Sequence, residues 1–203
     1  MRQAADPPLI LASGSATRAA LLRAAGLAFT VMPPAVDEAA IKQAAKAEAI
    51  PPRDAAVMLA EAKAERISRR HPEALVIGAD QLLVCEGEWF DKPADARAAE
   101  AQLARLSGRV HELVTAVVCH RGGLRVWQHV AAPRLAMRAL QPEVIAEYVA
   151  AEGEAVTRSV GAYRVEGLGL RLFRRIEGEH TGILGLPMLP LLGFLRQHGV
   201  LSD

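Results

Sequence analysis

Apolar positions along this chain fall into short continuous runs separated by stretches with a helical repeat. The run LILAS at 9–13 reads as a short buried strand. A loop of small residues, Gly14 to Thr17, follows it, and then a helix over 18–25 that Gly26 ends. A second short strand at 29–32 is stopped by Pro33 and Pro34. Over 54–70, Val57, Met58, Ala60, Ala64 and Ile67 recur on one side of a strong helix. Leu75 to Ile77 is apolar and β-branched and runs into Gly78-Ala79-Asp80, which predicts an acid where a strand opens into a loop.

Segments 81–85 and 88–90 flank Glu86-Gly87 as a hairpin, and Pro93 ends that unit. A helix is expected over 94–106, closed by Ser107-Gly108, and long antiparallel strands at 111–120 and 125–137 around Arg121-Gly122-Gly123. A helix over 142–151, an irregular glycine-containing stretch, a strand at 170–176 and a helix over 186–198 complete the pattern. Strands and helices alternate while hairpins interrupt them, which predicts an α/β fold on a mixed sheet. No internal repeat, low-complexity tract or linker divides the chain, so residues 1–203 read as one folding unit with two lobes around a cleft.

Composition narrows the function classes. Half of the residues are hydrophobic, 51%, enough to build a core. Charge is nearly balanced, 24 Lys and Arg against 23 Asp and Glu, which argues against a nucleic-acid partner but leaves room for a small anion held by local cations. Cys85 and Cys119 are far apart and in no metal-ligand spacing, which suits a reduced, cytoplasmic protein. The apolar stretch near the start is too short for a signal or membrane segment, and no later run approaches membrane length, so no membrane partner is expected.

Several residues can do chemistry. In Ser13-Gly14-Ser15-Ala16-Thr17-Arg18 a strand enters a hydroxyl-rich loop and a helix begins, a combination that cradles phosphates and equally makes an ordinary helix cap. Asp80, after a buried strand, suits a metal ligand or general base, or a plain turn. Lys63 on an Ala-rich helix and Lys92 before Pro93 can neutralise a departing pyrophosphate; the ordinary reading of each is a solvated surface lysine. Glu38, in the pair Asp37-Glu38, can share one magnesium ion with Asp80, or can simply sit at a helix start. The six histidines show no zinc spacing, and His111 reads as a structural strand residue. Rossmann, P-loop and nucleophile-elbow signatures are all missing.

The order of these pieces is more specific than any one of them. LILASGSATRAALL, VDE, LAEAKA, VIGADQ, DKP, LSGRVHELVTAV, GAYRVEG and GLP resemble, over nearly the whole chain, the Maf-like nucleotide pyrophosphatase family. The resemblance implies a mixed α/β fold related to that of inosine triphosphatases, with a long twisted sheet, two lobes and a central cleft. It implies hydrolysis between the α- and β-phosphates of a nucleoside triphosphate, a divalent cation (magnesium or manganese), and commonly a homodimer. Asp80 matches the catalytic acid, and Ser13, Ser15, Arg18, Lys63 and Lys92 match the phosphate-binding set. Glu38 matches the acid near the metal.

Subgroups of that family differ at positions that fall here on Thr17, Gln81 and Glu166. Gln81 and Glu166 match the 7-methyl-GTP type, while Thr17 stands where that type has a tryptophan able to stack on a cationic base. A carboxylate such as Glu166 only accepts hydrogen bonds, and the N1–H and N2–H₂ edge of guanine offers paired donors. Ala19 replaces an arginine common in the family, and Arg158-Ser159 replaces the Asp-Lys pair of the dTTP/UTP type. The expected activity is therefore pyrophosphate release from 7-methyl-GTP or a related guanine nucleotide. The rivals are a dTTP/UTP pyrophosphatase and a nucleotide-binding regulator of cell division or septum formation with little turnover.

Overall fold

The computed structural model describes residues 2–202. In chain order, the elements among them are β1 (Leu9–Ala12), α1 (Ala16–Ala24), β2 (Thr30–Val31), α2 (Glu38–Ala47), α3 (Pro52–Ser68), β3 (Leu75–Cys85), β4 (Glu88–Phe90), α4 (Ala96–Leu106), β5 (Val110–Arg121), β6 (Leu124–Ala131), β7 (Arg134–Met137), α5 (Pro142–Glu152), β8 (Phe173–Glu177), α6 (His180–Ile183) and α7 (Met188–Gln197). Short 3-10 turns link α5 to β8. The strands form one mixed sheet in the order β2-β1-β3-β5-β7-β8, with β4 paired to β3 and β6 to β5. β1 is parallel to β2 and β3, whereas β4, β6, β7 and β8 run antiparallel to their partners. The mixed α/β sheet expected from the pattern is present.

The chain forms two compact units. One takes the chain up to Gln81, then Thr115–Ala131, then the chain from Glu179 onward; the other takes Leu82–Val114 and Ala132–Gly178. In the first unit, Leu11 of β1, Leu22 of α1 and Leu191 and Phe194 of α7 meet Leu75, Ile77 and Ala79 of β3 in one buried cluster. Side chains alternate along a strand, so Gly78 and Asp80 take the opposite face, where α3 lies. On α3, Ala60, Lys63 and Ala64 share a face at the spacing of adjacent helical turns. A Cβ added to Gly78 would stand 2.4 Å from the Ala60 carbonyl oxygen and 2.8 Å from Ala64 Cβ. Strand and helix backbones therefore approach more closely than any side chain at 78 allows, and this brings Lys63 beside Asp80.

Three expectations need correction. β3 continues unbroken from Leu75 to Cys85, so Asp80 sits in mid-strand rather than where a strand opens into a loop. Gly and Asp ordinarily interrupt strands, but here the helix fills the space over Gly78 and a buried ammonium compensates the acid. The strand read over 125–137 is two strands, β6 and β7, because Pro133 has no N–H to give the ladder. The strand read at 170–176 begins only at Phe173, because Leu168–Leu172 is a 3-10 turn. Glu38 does sit at a helix start, that of α2, which Asp37 caps, its Oδ1 accepting the Ala40 N–H at 3.0 Å.

In the second unit, His111 lies in the core as a structural strand residue should, 1% exposed. Its Nε2 is 2.7 Å from the Tyr163 hydroxyl, and Tyr163 meets Phe173 edge-on at 4.8 Å between centroids. Burial pushes the imidazole down from 6.5 to about 4. The folded state thus favours the neutral ring, so this contribution to stability is complete above about pH 6.5 and is lost as pH falls towards 4. The stability advantage of the natural protein over His111→Phe, which cannot titrate, should shrink by about 3 kcal/mol between pH 7 and pH 4, measured by urea unfolding. An unchanged difference would contradict it.

Candidate active site

The first unit assembles most of the residues singled out above. β1 delivers Ser13, 4% exposed, at the mouth of the loop before α1. Ser13 Oγ accepts hydrogen bonds from the Ser15 N–H at 3.2 Å and from Arg18 Nη1 at 3.1 Å. Ser15 is the N-cap of α1, its Oγ accepting the Arg18 N–H at 3.3 Å. Arg18 Nε donates to the Gly185 carbonyl at 2.8 Å, so two separate parts of the chain aim the guanidinium. Burial draws the Arg18 pKa down from its usual value, against the carboxylates of Asp80 and Glu38, which push it up. Thr17 lies half-buried on the first turn of α1.

Lys63 is not the surface lysine that its sequence context suggests. It is 7% exposed, and its Nζ lies 2.6 Å from Asp80 Oδ1 and 2.7 Å from Glu38 Oε1. Asp80 is itself 5% exposed. Burying a charge is costly unless it is paired, and here one ammonium serves two carboxylates. Glu38 reaches the cluster from the first turn of α2, where a negative charge also suits the helix dipole. Asp80 Oδ2 has no protein hydrogen bond among the described residues, which leaves it for water.

Gln81, the next residue on β3, faces the other way. Its Nε2 lies 2.7 Å from Thr115 Oγ1, 3.1 Å from the Gly182 carbonyl and 3.1 Å from that of Ile183. Two predicted site residues, Lys92 and Glu166, belong to the second unit. Lys92 is exposed just after β4 and has no ion-pair partner among the described residues. Glu166 is exposed in the turn before the 3-10 segment Leu168–Leu172. Its carboxylate lies 3.5 Å from Arg164 Nε, and Arg164 Nη1 lies 3.5 Å from Glu152 Oε2.

Thr115, the α6 carbonyls, the Gly185 carbonyl and Arg164 were not singled out from sequence. The LSGRVHELVTAV, GAYRVEG and GLP segments contained Thr115, Arg164 and Gly185, but a backbone acceptor leaves no compositional trace, and the partners of the two side chains are set by the fold. Among the described residues, no group of three or more His, Cys, Asp or Glu side chains is arranged to hold a metal. Among the same residues, no helix is long and apolar enough to cross a membrane.

Known proteins match this sequence along nearly its whole length. Residues 8–198 match the model of the Maf-like protein family, and the chain belongs to that family. It is 54% identical over 194 residues to a nucleoside triphosphate pyrophosphatase of Granulibacter bethesdensis, covering 96% of this chain and 98% of that protein. It is 53% identical over 192 residues to a protein of the same name from Paramagnetospirillum magneticum, covering 95% and 99%. A third protein of that name, from Rhodospirillum rubrum, is 50% identical over 195 residues, with 96% of each chain covered.

Proposed function

We propose that this protein is a nucleoside triphosphate pyrophosphatase that cleaves the α–β phosphoanhydride bond, releasing a nucleoside monophosphate and pyrophosphate. The observation that carries the reading is the buried Lys63 ammonium shared by Asp80 and Glu38, beside the loop that aims Arg18. Such a cluster offers a carboxylate oxygen to orient and deprotonate water next to cations that hold phosphates. In this reading Asp80 accepts the proton of the attacking water through Oδ2. Arg18, Lys63 and Lys92 stabilise the charge that grows on the departing pyrophosphate, with Ser13 and Ser15 shaping the loop.

Glu38 and Asp80 also suit a hard divalent cation, magnesium or manganese. Both already converge on one positive charge, and such an ion is satisfied by two carboxylates plus waters and substrate phosphates. When bound there, it would supply Lewis-acid activation and neutralise phosphate charge.

For the base, the reading favours 7-methyl-GTP or a related guanine nucleotide. Glu166 supports it as an acceptor for paired N–H donors, and methylation at N7 adds a positive charge that a carboxylate attracts. Arg164 compensates Glu166 in part, and Thr17 cannot stack on the base. Pyrophosphate release with magnesium or manganese, across 7-methyl-GTP, GTP, dTTP, UTP, CTP and ATP, tests both levels of the reading. Turnover should be strongest on 7-methyl-GTP, and Glu166→Gln should narrow its lead over UTP by about tenfold, the value of one good polar contact. Strongest turnover on dTTP or UTP would overturn the choice of base and leave the activity standing. Nucleotide binding without turnover would instead favour a regulator.

A further inference from the structure

Gln81 Nε2 has three oxygen neighbours within hydrogen-bond distance but only two hydrogens to give. Two of these neighbours are backbone carbonyls, which can only accept, so the atom facing them is the amide nitrogen and not the amide oxygen. Thr115 settles the third contact in the same sense. Its hydroxyl donates its one hydrogen to the Gly182 carbonyl at 2.9 Å, so towards Gln81 it acts as an acceptor. Thr115 is fully buried at 0% exposure on β5, and the carbonyls close the last turn of the short helix α6. A flipped amide would point its oxygen at two carbonyl oxygens and cannot persist.

We propose that Thr115 is a positioning residue for base selection: with the Gly182 and Ile183 carbonyls it holds both N–H groups of Gln81, so that only the amide oxygen is offered to the nucleotide. The inference rests on the reading that Gln81 faces the base, and it deepens that reading. A free glutamine matches donors and acceptors alike, and therefore discriminates poorly between mixed base edges. One locked in this way is acceptor-only, an uncharged counterpart of Glu166. The site then favours a base that presents N–H donors, as guanine does with N1–H and N2–H₂, and disfavours one that presents a carbonyl there.

Two measurements on the full-length protein test this, with Thr115→Val removing the hydroxyl at nearly constant shape and Thr115→Ser restoring it. The first follows hydrogen exchange of the Gln81 side-chain amide by NMR, which needs no turnover. It should be slow in the natural protein and in Thr115→Ser, and at least tenfold faster in Thr115→Val. Equal exchange rates in all three would overturn the positioning role. The second compares kcat/KM for 7-methyl-GTP and UTP. Thr115→Val should lower the ratio about tenfold, mainly through KM for the guanine nucleotide, and Thr115→Ser should recover most of it. A merely structural role would lower kcat on both nucleotides alike and leave the ratio unchanged. If Gln81→Ala leaves the ratio unchanged while turnover persists, Gln81 does not read the base; the inference then falls and the pyrophosphatase reading survives. Fast exchange in Thr115→Val with no turnover of any nucleotide by the natural protein would mean the opposite, supporting the positioning role and removing the activity.

Discussion

Asp80→Asn should lower pyrophosphate release by about 10²–10⁴-fold, the range of a lost general base, while leaving nucleotide affinity close to that of the natural protein. The substitution keeps the shape of the side chain and an oxygen that can still accept from Lys63 Nζ, now 2.6 Å from Oδ1. What it removes is the basic oxygen left for water. Lys63 retains Glu38 at 2.7 Å, so the buried ammonium is not stranded and the fold should hold. The Ser13–Arg18 contacts do not involve Asp80, which is why binding should outlast turnover. Pyrophosphate release and titration calorimetry on the same preparation separate the two effects. Turnover within tenfold of the natural protein would mean that the proton is taken up elsewhere.

Gly78→Ala should destabilise the protein by about 3 kcal/mol, the upper end for overpacking a tight core, and lower the melting temperature by roughly 6–12 °C for a chain of this size. The nearest atom to the added methyl group is the Ala60 carbonyl oxygen, at 2.4 Å, and a helix backbone cannot yield as a flexible side chain can. α3 must therefore move off β3, and Lys63 moves with it. Activity should fall together with stability, although glycine has no side chain to take part in the chemistry. Pairing the substitution with Ala64→Gly relieves the contact at 2.8 Å but not the one with the carbonyl, so it should recover little of the loss. Thermal unfolding of the single and double variants checks this, and a melting temperature within about 2 °C of the natural protein would refute it.

The parts of the fold that follow a local period were legible in the sequence. α3, α4, α5 and α7 carry apolar residues at helical spacing, and the Glu86-Gly87 and Gly122-Gly123 turns announce their hairpins through residues that adopt positive φ. Of α2 only the start was legible, through the Asp37-Glu38 pair; of its ten residues only Ala45 is buried. The full length of β3 was hidden by Gly78 and Asp80, whose fitness for a strand depends on α3, an element that local pattern cannot place. The site shows the same division. The Ser13–Arg18 loop is a local capping arrangement and could be read directly. The pairing of Lys63 with Asp80 joins residues 17 apart, on a helix and a strand, and a lysine in an Ala-rich helix gives no sign of being buried. Gln81 was noticed, but which end of its amide is free depends on Thr115 and two carbonyls more than 30 residues away.

The guanidinium of Arg18 and the carbonyl that holds it are 167 residues apart, and the unit that contains them is assembled from three stretches of chain. During synthesis the loop Ser13–Arg18 leaves the ribosome long before Gly185 and the Leu191 and Phe194 side chains that close its core. The second unit is drawn from the stretches between, so all of its residues emerge before that core can close. An early-made side chain is thus aimed by a late-made part of the chain. A nascent chain therefore lacks the carbonyl that holds Arg18 until the segment around Gly185 has been made.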